Sequence, residues 1–189
     1  MKNIFLILSI AFLLSIDFST QGQSKNYLLM VVDVQEFENV KEEIPKEVYH
    51  TFLKEVNEVI ETFEKEKVIY IKDLSLELSI SFKGKSIDTI SFPNLVPDLN
   101  IVNEHVFVKK EGDSFTADGL KDYLLKFPNH KIIVIGLIAD GCIFSTLKSG
   151  CKLGYDMYMV PKAILARSER NKEKYLKKYE KMGVKIYKE

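Results

Sequence analysis

KIIVIGLIADGCIFSTLKSGCKLG, residues 131–154, joins an apolar run to a helical pattern. The first seven residues, which are apolar except for Lys131 and a glycine, predict a buried strand at residues 131–137. A helix is predicted over residues 142–153, because Gly154 is a typical helix stop. A strand that leads directly into a helix is typical of α/β proteins with parallel sheets.

The same alternation continues in both directions along the chain. Apolar and β-branched runs predict further strands at residues 27–34, 67–72, 106–109, 155–160 and 184–187. Helices are predicted at residues 46–66, 118–127 and 168–182. Residues 73–104, which are rich in serine and contain prolines, are predicted to be mostly loop with at most one short helix. The chain therefore has the pattern of an α/β fold, a three-layer α/β/α sandwich around a mostly parallel six-stranded sheet.

The first 24 residues have a different composition. Lys2 precedes an unbroken run of apolar or small residues at 4–16, Asp17 ends that run, and small polar residues follow. This layout predicts a secretory signal peptide, cleaved after Gly22 or Ser24. The run is shorter than the roughly 20 residues that span a bilayer, so an uncleaved anchor is the less favoured alternative. We expect an exported (periplasmic or secreted) domain at residues 25–189, with no stable membrane association after cleavage.

Charge and cysteine content narrow the function classes. Lys plus Arg and Asp plus Glu both number 27, so the formal net charge is zero and electrostatic capture of nucleic acid is not expected. The two cysteines, Cys142 and Cys151, are nine residues apart, which corresponds to about 13 Å along the axis if they share a helix. A disulfide needs Cα atoms within about 7 Å. Both thiols are therefore predicted to be free.

Three polar residues are predicted at strand ends, where parallel strands bring them to one rim. Cys142 opens a helix, a position that is expected to lower its thiol pKa and to offer N–H groups to an oxyanion. Asp33 ends an apolar strand and is a candidate base. Lys109 and Lys110 point to opposite faces, so at most one of them lines a site. The alternatives are a buried structural cysteine, a solvated aspartate and a solvated lysine.

Three stretches together carry a resemblance to a known family. LLMVVDVQEFENV (28–40), NLVPDLNIVNEHVFVKKEGDSF (94–115) and VIGLIADGCIFSTLKSGCKLGYDMYMV (134–160) resemble, in this order, the three motifs of isochorismatase-like cysteine hydrolases. The likeness extends over essentially the whole chain after residue 24. It implies a catalytic triad of Asp33, Lys109 and Cys142, and it selects Lys109 over Lys110.

The resemblance also implies how the site is completed. Backbone N–H groups of Ile138 and Cys142 are expected to form an oxyanion hole, beside a cis peptide between Leu137 and Ile138. Gln35, Phe37 and Phe115 are expected to contact a small-molecule substrate, and a homo-oligomer is expected. No cofactor is implied.

Departures from the family pattern bear on the reaction. Nicotinamidases of the family bind a metal through an Asp-x-His pattern, whereas this chain reads Asp73-Leu74-Ser75, so no metal is expected. Ser114 replaces the usual alanine and Gly141 precedes the nucleophile, so a different pocket is expected. Because a nucleophilic cysteine suits acyl transfer, the favoured function is hydrolysis of a small-molecule amide through a thioester. The alternatives are hydrolysis of a non-amide bond and a catalytically silent binding protein on the same scaffold.

Overall fold

A computed structural model describes residues 26–36, 44–76, 80–81, 84–85, 90–91 and 93–188. Within these residues the main sheet has six strands, all parallel. The predicted α/β fold with six strands is confirmed. The predicted signal peptide at residues 1–24 lies outside the described residues. No helix in the described ranges is long and apolar enough to cross a membrane.

The elements follow the predicted order with small shifts of their ends. The strands of the main sheet are β1 (Tyr27–Val32), β2 (Val68–Asp73), β7 (Val106–Lys109), β8 (Lys131–Gly136), β9 (Met157–Ile164) and β10 (Lys185–Ile186). They lie in the order β10-β9-β8-β1-β2-β7. The helices are α1 (Lys46–Glu61), α2 (Leu120–Leu124), α3 (Cys142–Lys152) and α4 (Glu169–Lys181). Ser168 caps α4 by accepting a hydrogen bond from the Asn171 N–H, as is common at helix starts.

Two apolar cores cover the two faces of the sheet, because alternate residues of each strand point to opposite sides. Leu29 and Val31 of β1 face α1, which contributes Phe52, Val56 and Ile60 to that side. The alternate residues of β1, Leu28, Met30 and Val32, face the other three helices. These helices contribute a second set of buried side chains: Leu120, Tyr123, Leu124, Ile143, Leu147 and Tyr179. The three-layer arrangement follows from this division.

Two segments differ from the sequence-based prediction. The described part of residues 73–104 holds four two-residue strands, β3 (Ser75–Leu76), β4 (Ile80–Ser81), β5 (Gly84–Lys85) and β6 (Ile90–Ser91), and no helix. Strand β9 begins at Met157 and runs past Pro161, although proline usually ends a central strand. Its pairing with β8 is irregular between Met159 and Ile164, and this irregularity accommodates the proline.

The position of β1 creates a crevice in the sheet. Strands β2 and β7 lie on one side of β1, whereas β8, β9 and β10 lie on the other, so the chain changes direction between β1 and β8. Ligands of open α/β sheets bind beyond the carboxyl ends of the strands at such a point. Asp33 follows β1 and Cys142 follows β8, so both residues border this crevice.

Candidate active site

Four polar side chains from four neighbouring strand ends meet at the crevice. Asp33 directly follows β1, and Cys142 opens the helix α3 that follows β8, whereas Asp73 and Lys109 are the last residues of β2 and β7. Parallel pairing places Asp73 directly beside Lys109 in the register of the two strands. The structure therefore brings the predicted residues Asp33, Lys109 and Cys142 together and adds Asp73 to them.

Lys109 lies at the centre of the cluster and is fully buried. Its Nζ atom is 3.0 Å from Asp33 Oδ2, 2.7 Å from Asp73 Oδ2 and 3.3 Å from Cys142 Sγ. Burial lowers its pKa, but the charge of Asp33 and the bond to Asp73 outweigh burial, so the pKa is raised and the ammonium stays charged. Lys110 points away and pairs with the exposed Asp118, as strand alternation predicts.

Asp33 is held in an unusual place for a carboxylate. Its backbone has a positive φ of 56°, and its N–H donates to the Ile71 carbonyl at 3.0 Å. The side chain is 3 % exposed. Burial raises the pKa of the carboxyl to about 6, although the charge of Lys109 opposes that rise. Above about pH 6 the site therefore holds a carboxylate that is a stronger base than an ordinary aspartate.

Cys142 is the first residue of α3 and is half-buried. The expectation of a lowered thiol pKa is wrong for the resting site. Burial and the charge of Asp33 raise the pKa of Cys142 to about 12, against the opposing effect of Lys109. The thiol therefore keeps its proton in the resting site. Both cysteines are free, as predicted.

Gln35 has a different role from the predicted one. It is 2 % exposed, and its carboxamide is used by the main chain. Oε1 accepts the Asp73 N–H at 2.7 Å, and Nε2 donates to the carbonyls of Asp73 at 3.2 Å and Pro93 at 2.7 Å. The expected substrate contact of Gln35 is corrected on this ground, because its donors and acceptor position Asp73 instead.

The ring of Phe115 contacts another aromatic ring. Its ring stacks on Tyr155 at 5.3 Å between centroids, and Tyr155 lies beyond the C-terminal end of α3. The expected substrate contact of Phe115 stays a prediction. Phe37 lies outside the described residues.

The neighbouring Ser114, expected to change the pocket, is buried. Its Oγ lies 2.8 Å from Thr146 Oγ1 of α3. This hydrogen bond therefore connects the segment after β7 to the helix that carries Cys142.

The turn between β8 and α3 presents its backbone to the thiol. The Leu137–Ile138 peptide bond is cis. The neighbouring amides are used, because the Leu137 N–H donates to Val32 O and the Ala139 N–H to Leu165 O. Among the described residues, the amide of Ile138 donates to no backbone carbonyl. The first amides of a helix, including that of Cys142, have no intrahelical partner, so both groups are free to receive an oxyanion.

The donor atoms of the cluster do not favour a metal ion. One ligand atom each from Asp33, Asp73 and Cys142 lies within 4.8 Å of the others. The ammonium of Lys109, however, contacts all three side chains and already supplies positive charge there. A cation bound by these three side chains would have to displace Lys109 from a fully buried position.

Asp73 was not among the predicted site residues. The sequence shows Asp73 only as the first position of a metal motif that lacks its histidine. The available signal is an aspartate that directly follows the strand predicted at residues 67–72, as Asp33 comes at the end of the first predicted strand.

Comparison with known proteins places this geometry in a family. The model of the isochorismatase domain matches residues 27–188. No curated protein matches the chain. An isochorismatase-like hydrolase from Alkaliphilus metalliredigens has a similar structure, with a TM-score of 0.67 and 14 % identity over 85 % of this chain and 93 % of that one. For N-carbamoylsarcosine amidase from Thermoplasma acidophilum the TM-score is 0.66 and the identity 21 %, over 86 % of this chain and 96 % of that one. For the nicotinamidase from Staphylococcus aureus the TM-score is 0.63 and the identity 17 %, over 86 % of this chain and 98 % of that one. At these identities the structural likeness concerns the fold.

Proposed function

The chain belongs to the isochorismatase family, and we propose that it is a cysteine hydrolase that cleaves a small-molecule amide bond through a thioester. Asp33, Lys109 and Cys142 are the catalytic residues of this proposal. The observation that carries it is the buried ammonium of Lys109 in direct contact with both the carboxylate and the thiol. Two proteins of similar structure are named as amidases, which supports hydrolysis of a carbon–nitrogen bond.

The protonation states of the resting site suit an attack coupled to proton transfer. At pH 7 the Cys142 thiol, with a pKa of about 12, keeps its proton. The Asp33 carboxyl, with a pKa of about 6, is mostly ionised. The base is therefore free and the nucleophile is protonated, so the thiol becomes nucleophilic only when Asp33 takes its proton.

The reaction then proceeds in two halves. In the first, the Cys142 sulfur bonds to the amide carbon, its proton passes to Asp33, and the carbonyl oxygen becomes an oxyanion facing the amides of Ile138 and Cys142. The carbon–nitrogen bond breaks as Asp33 returns the proton to nitrogen, and the amine leaves. In the second half, water gives a proton to Asp33 as the water oxygen bonds to the thioester carbon. The carbon–sulfur bond then breaks, Asp33 returns the proton to the Cys142 sulfur, and the acid leaves.

Lys109 contributes charge that does not change during the cycle. Its ammonium keeps the pKa of the Asp33 carboxyl from rising further, and it lowers the free-energy cost of negative charge on the Cys142 sulfur. Since its pKa is raised, it holds its proton throughout. Lys109 is therefore an electrostatic stabiliser in this proposal and not a proton donor.

A test of the proposed function combines turnover with trapping. Acetamide, benzamide, nicotinamide, pyrazinamide and N-carbamoylsarcosine are incubated with the protein, and ammonia release and acid-quenched intact mass are measured. We expect an acyl adduct on Cys142 and ammonia release with at least one amide. Cys142→Ala abolishes both, whereas the matched control Cys151→Ala retains them. Ammonia release by Cys142→Ala, or no turnover of any amide, contradicts the proposal and leaves the non-amide or binding alternative.

Two properties of the whole protein are proposed with the activity. Export rests on the signal-like residues 1–24, and cell fractionation with N-terminal sequencing tests it. Assembly into a homo-oligomer rests on the family resemblance, and light scattering after size-exclusion chromatography tests it.

A further inference from the structure

We propose that Asp73 is a specificity-determining residue, whose carboxylate accepts a hydrogen bond from the scissile nitrogen of the substrate. Substrates would then be primary or monosubstituted amides and ureas, which keep an N–H on the leaving nitrogen. This inference rests on the proposed function and names its substrate class.

The first argument is where the second carboxylate lies. Asp73 Oδ2 is 3.8 Å from Cys142 Sγ, so the two groups border the same space. The Asp73 side chain is 24 % exposed, whereas the side chains of Asp33 and Lys109 are almost fully enclosed. Cys142 is also partly exposed. Of the two carboxylates, Asp73 is therefore the one that a molecule approaching the thiol meets.

The second argument is that Asp73 is fixed through its main chain. Gln35 bonds both the N–H and the carbonyl of Asp73, and the next amide, that of Leu74, donates to the Lys109 carbonyl at 3.0 Å. A buried glutamine thus serves to hold one strand end in place. Such main-chain support keeps a carboxylate in one position relative to the thiol, as a recognition group requires.

The third argument comes from the charge that develops on the leaving atom. An ionised carboxylate accepts hydrogen bonds and donates none. An amide nitrogen with an N–H can donate to it before the attack. When Asp33 passes its proton to that nitrogen, the leaving group gains positive character and the attraction to Asp73 grows. An interaction that strengthens towards the transition state raises kcat more than it lowers KM.

Other leaving groups lack this partner. The leaving oxygen of an ester presents only lone pairs to the carboxylate, and the nitrogen of an N,N-dialkyl amide has no hydrogen to donate. A hydrogen bond to a charged group contributes about 10- to 100-fold in rate or affinity. We therefore expect wild-type kcat/KM to fall about 10- to 100-fold from the primary amide to its N,N-dimethyl derivative, with the N-methyl amide retaining most of the activity.

The experiment uses the best amide of the panel above, its N-methyl and N,N-dimethyl derivatives, and its methyl ester. Each is measured with the wild-type protein, with Asp73→Asn and with the surface control Asp118→Asn. In Asp73→Asn we expect the ratio of amide to ester kcat/KM to fall about 10-fold or more, mainly through kcat. Asp118→Asn leaves the ratio unchanged, because Asp118 is exposed and pairs with Lys110. The wild-type series alone decides the matter if Asp73→Asn does not fold.

The possible outcomes separate the two proposals. Hydrolysis of the dimethyl amide as fast as of the primary amide overturns the role of Asp73 and leaves the cysteine hydrolase intact. The same follows if Asp73→Asn slows amide and ester equally, because Asp73 then acts only by holding Lys109. Absence of turnover of every amide and ester overturns the proposed function and this inference with it.

Discussion

Replacing Asp33 by asparagine is expected to make the folded protein increasingly more stable than the wild type as the pH rises, at the cost of activity. The carboxyl pKa is 3.8 as an ordinary value and about 6 in the folded protein, mainly because of burial. The folded state therefore binds this proton more tightly than the unfolded state does. The stability that the protonated carboxyl contributes is fully present below pH 3.8 and is lost as the pH rises through about 6.

The magnitude follows from the shift. A rise of about two pKa units corresponds to about 3 kcal/mol at about 1.4 kcal/mol per unit, and most of it falls between about pH 4 and 8. The asparagine side chain does not titrate. The difference in the free energy of unfolding between Asp33→Asn and the wild type should therefore increase in favour of the variant by about 3 kcal/mol from about pH 4 to 8. The chain has no tryptophan, so urea unfolding is followed by far-UV circular dichroism.

The control is Asp118→Asn, which removes an exposed carboxyl from the surface and is expected to leave the pH dependence of stability unchanged. If the wild-type and Asp33→Asn curves run parallel within about 0.5 kcal/mol from about pH 4 to 8, burial does not dominate at Asp33. A gap that widens in favour of the wild type at high pH means that attraction to Lys109 exceeds the burial cost.

Three further predictions concern the charge, the thiol and the backbone of the site. Lys109→Met should move the acid limb of the pH profile of kcat/KM above about pH 6, because the Lys109 ammonium holds the pKa of Asp33 down. Lys110→Met, which changes an exposed lysine, should leave the profile unchanged. Equal profiles for the two variants would mean that Lys109 does not act in the mechanism. Alkylation of Cys142 by iodoacetamide should be slow at pH 7 and still rising at about pH 10, because the thiol pKa is about 12; a plateau near pH 8 contradicts this. Gly136→Ala should prevent folding, because its Cβ would lie 2.1 Å from a backbone oxygen of β1. Gly154→Ala, with a similar positive φ but open space, should cost only about 1–2 kcal/mol in thermal unfolding; comparable losses would argue against the close approach.

The fold and three of the clustered residues follow from local patterns in the sequence. Continuous apolar runs such as residues 131–137 are typical of strands buried on both faces, and strand alternation separates Lys109 from Lys110. Because all the strands are parallel, polar residues at their ends must meet at one rim. Nothing beyond strand order and direction is needed to bring Asp33 near Cys142.

What the sequence does not give depends on contacts between distant segments. The role of Gln35 depends on the carbonyls of Asp73 and Pro93, which approach it only after the loop is placed. The thiol pKa depends on the burial of Cys142 and on the charge of Asp33 beside it, and both arise only when distant segments meet. The stacking of Phe115 on Tyr155 likewise joins two segments that lie 40 residues apart in the sequence.

The cation of the site lies on the outermost strand of the sheet. Strand β7 has four residues and begins at the partly exposed Val106, and within the described part of the chain β2 is its one partner strand. Edge strands held by one neighbour open at lower free energy than the centre of a sheet. Fraying of β7 would withdraw Lys109 and leave two carboxylates facing the thiol, while the central strands stay folded. We therefore expect the proposed activity to be lost by a sub-global opening, at temperatures where most of the helical signal persists.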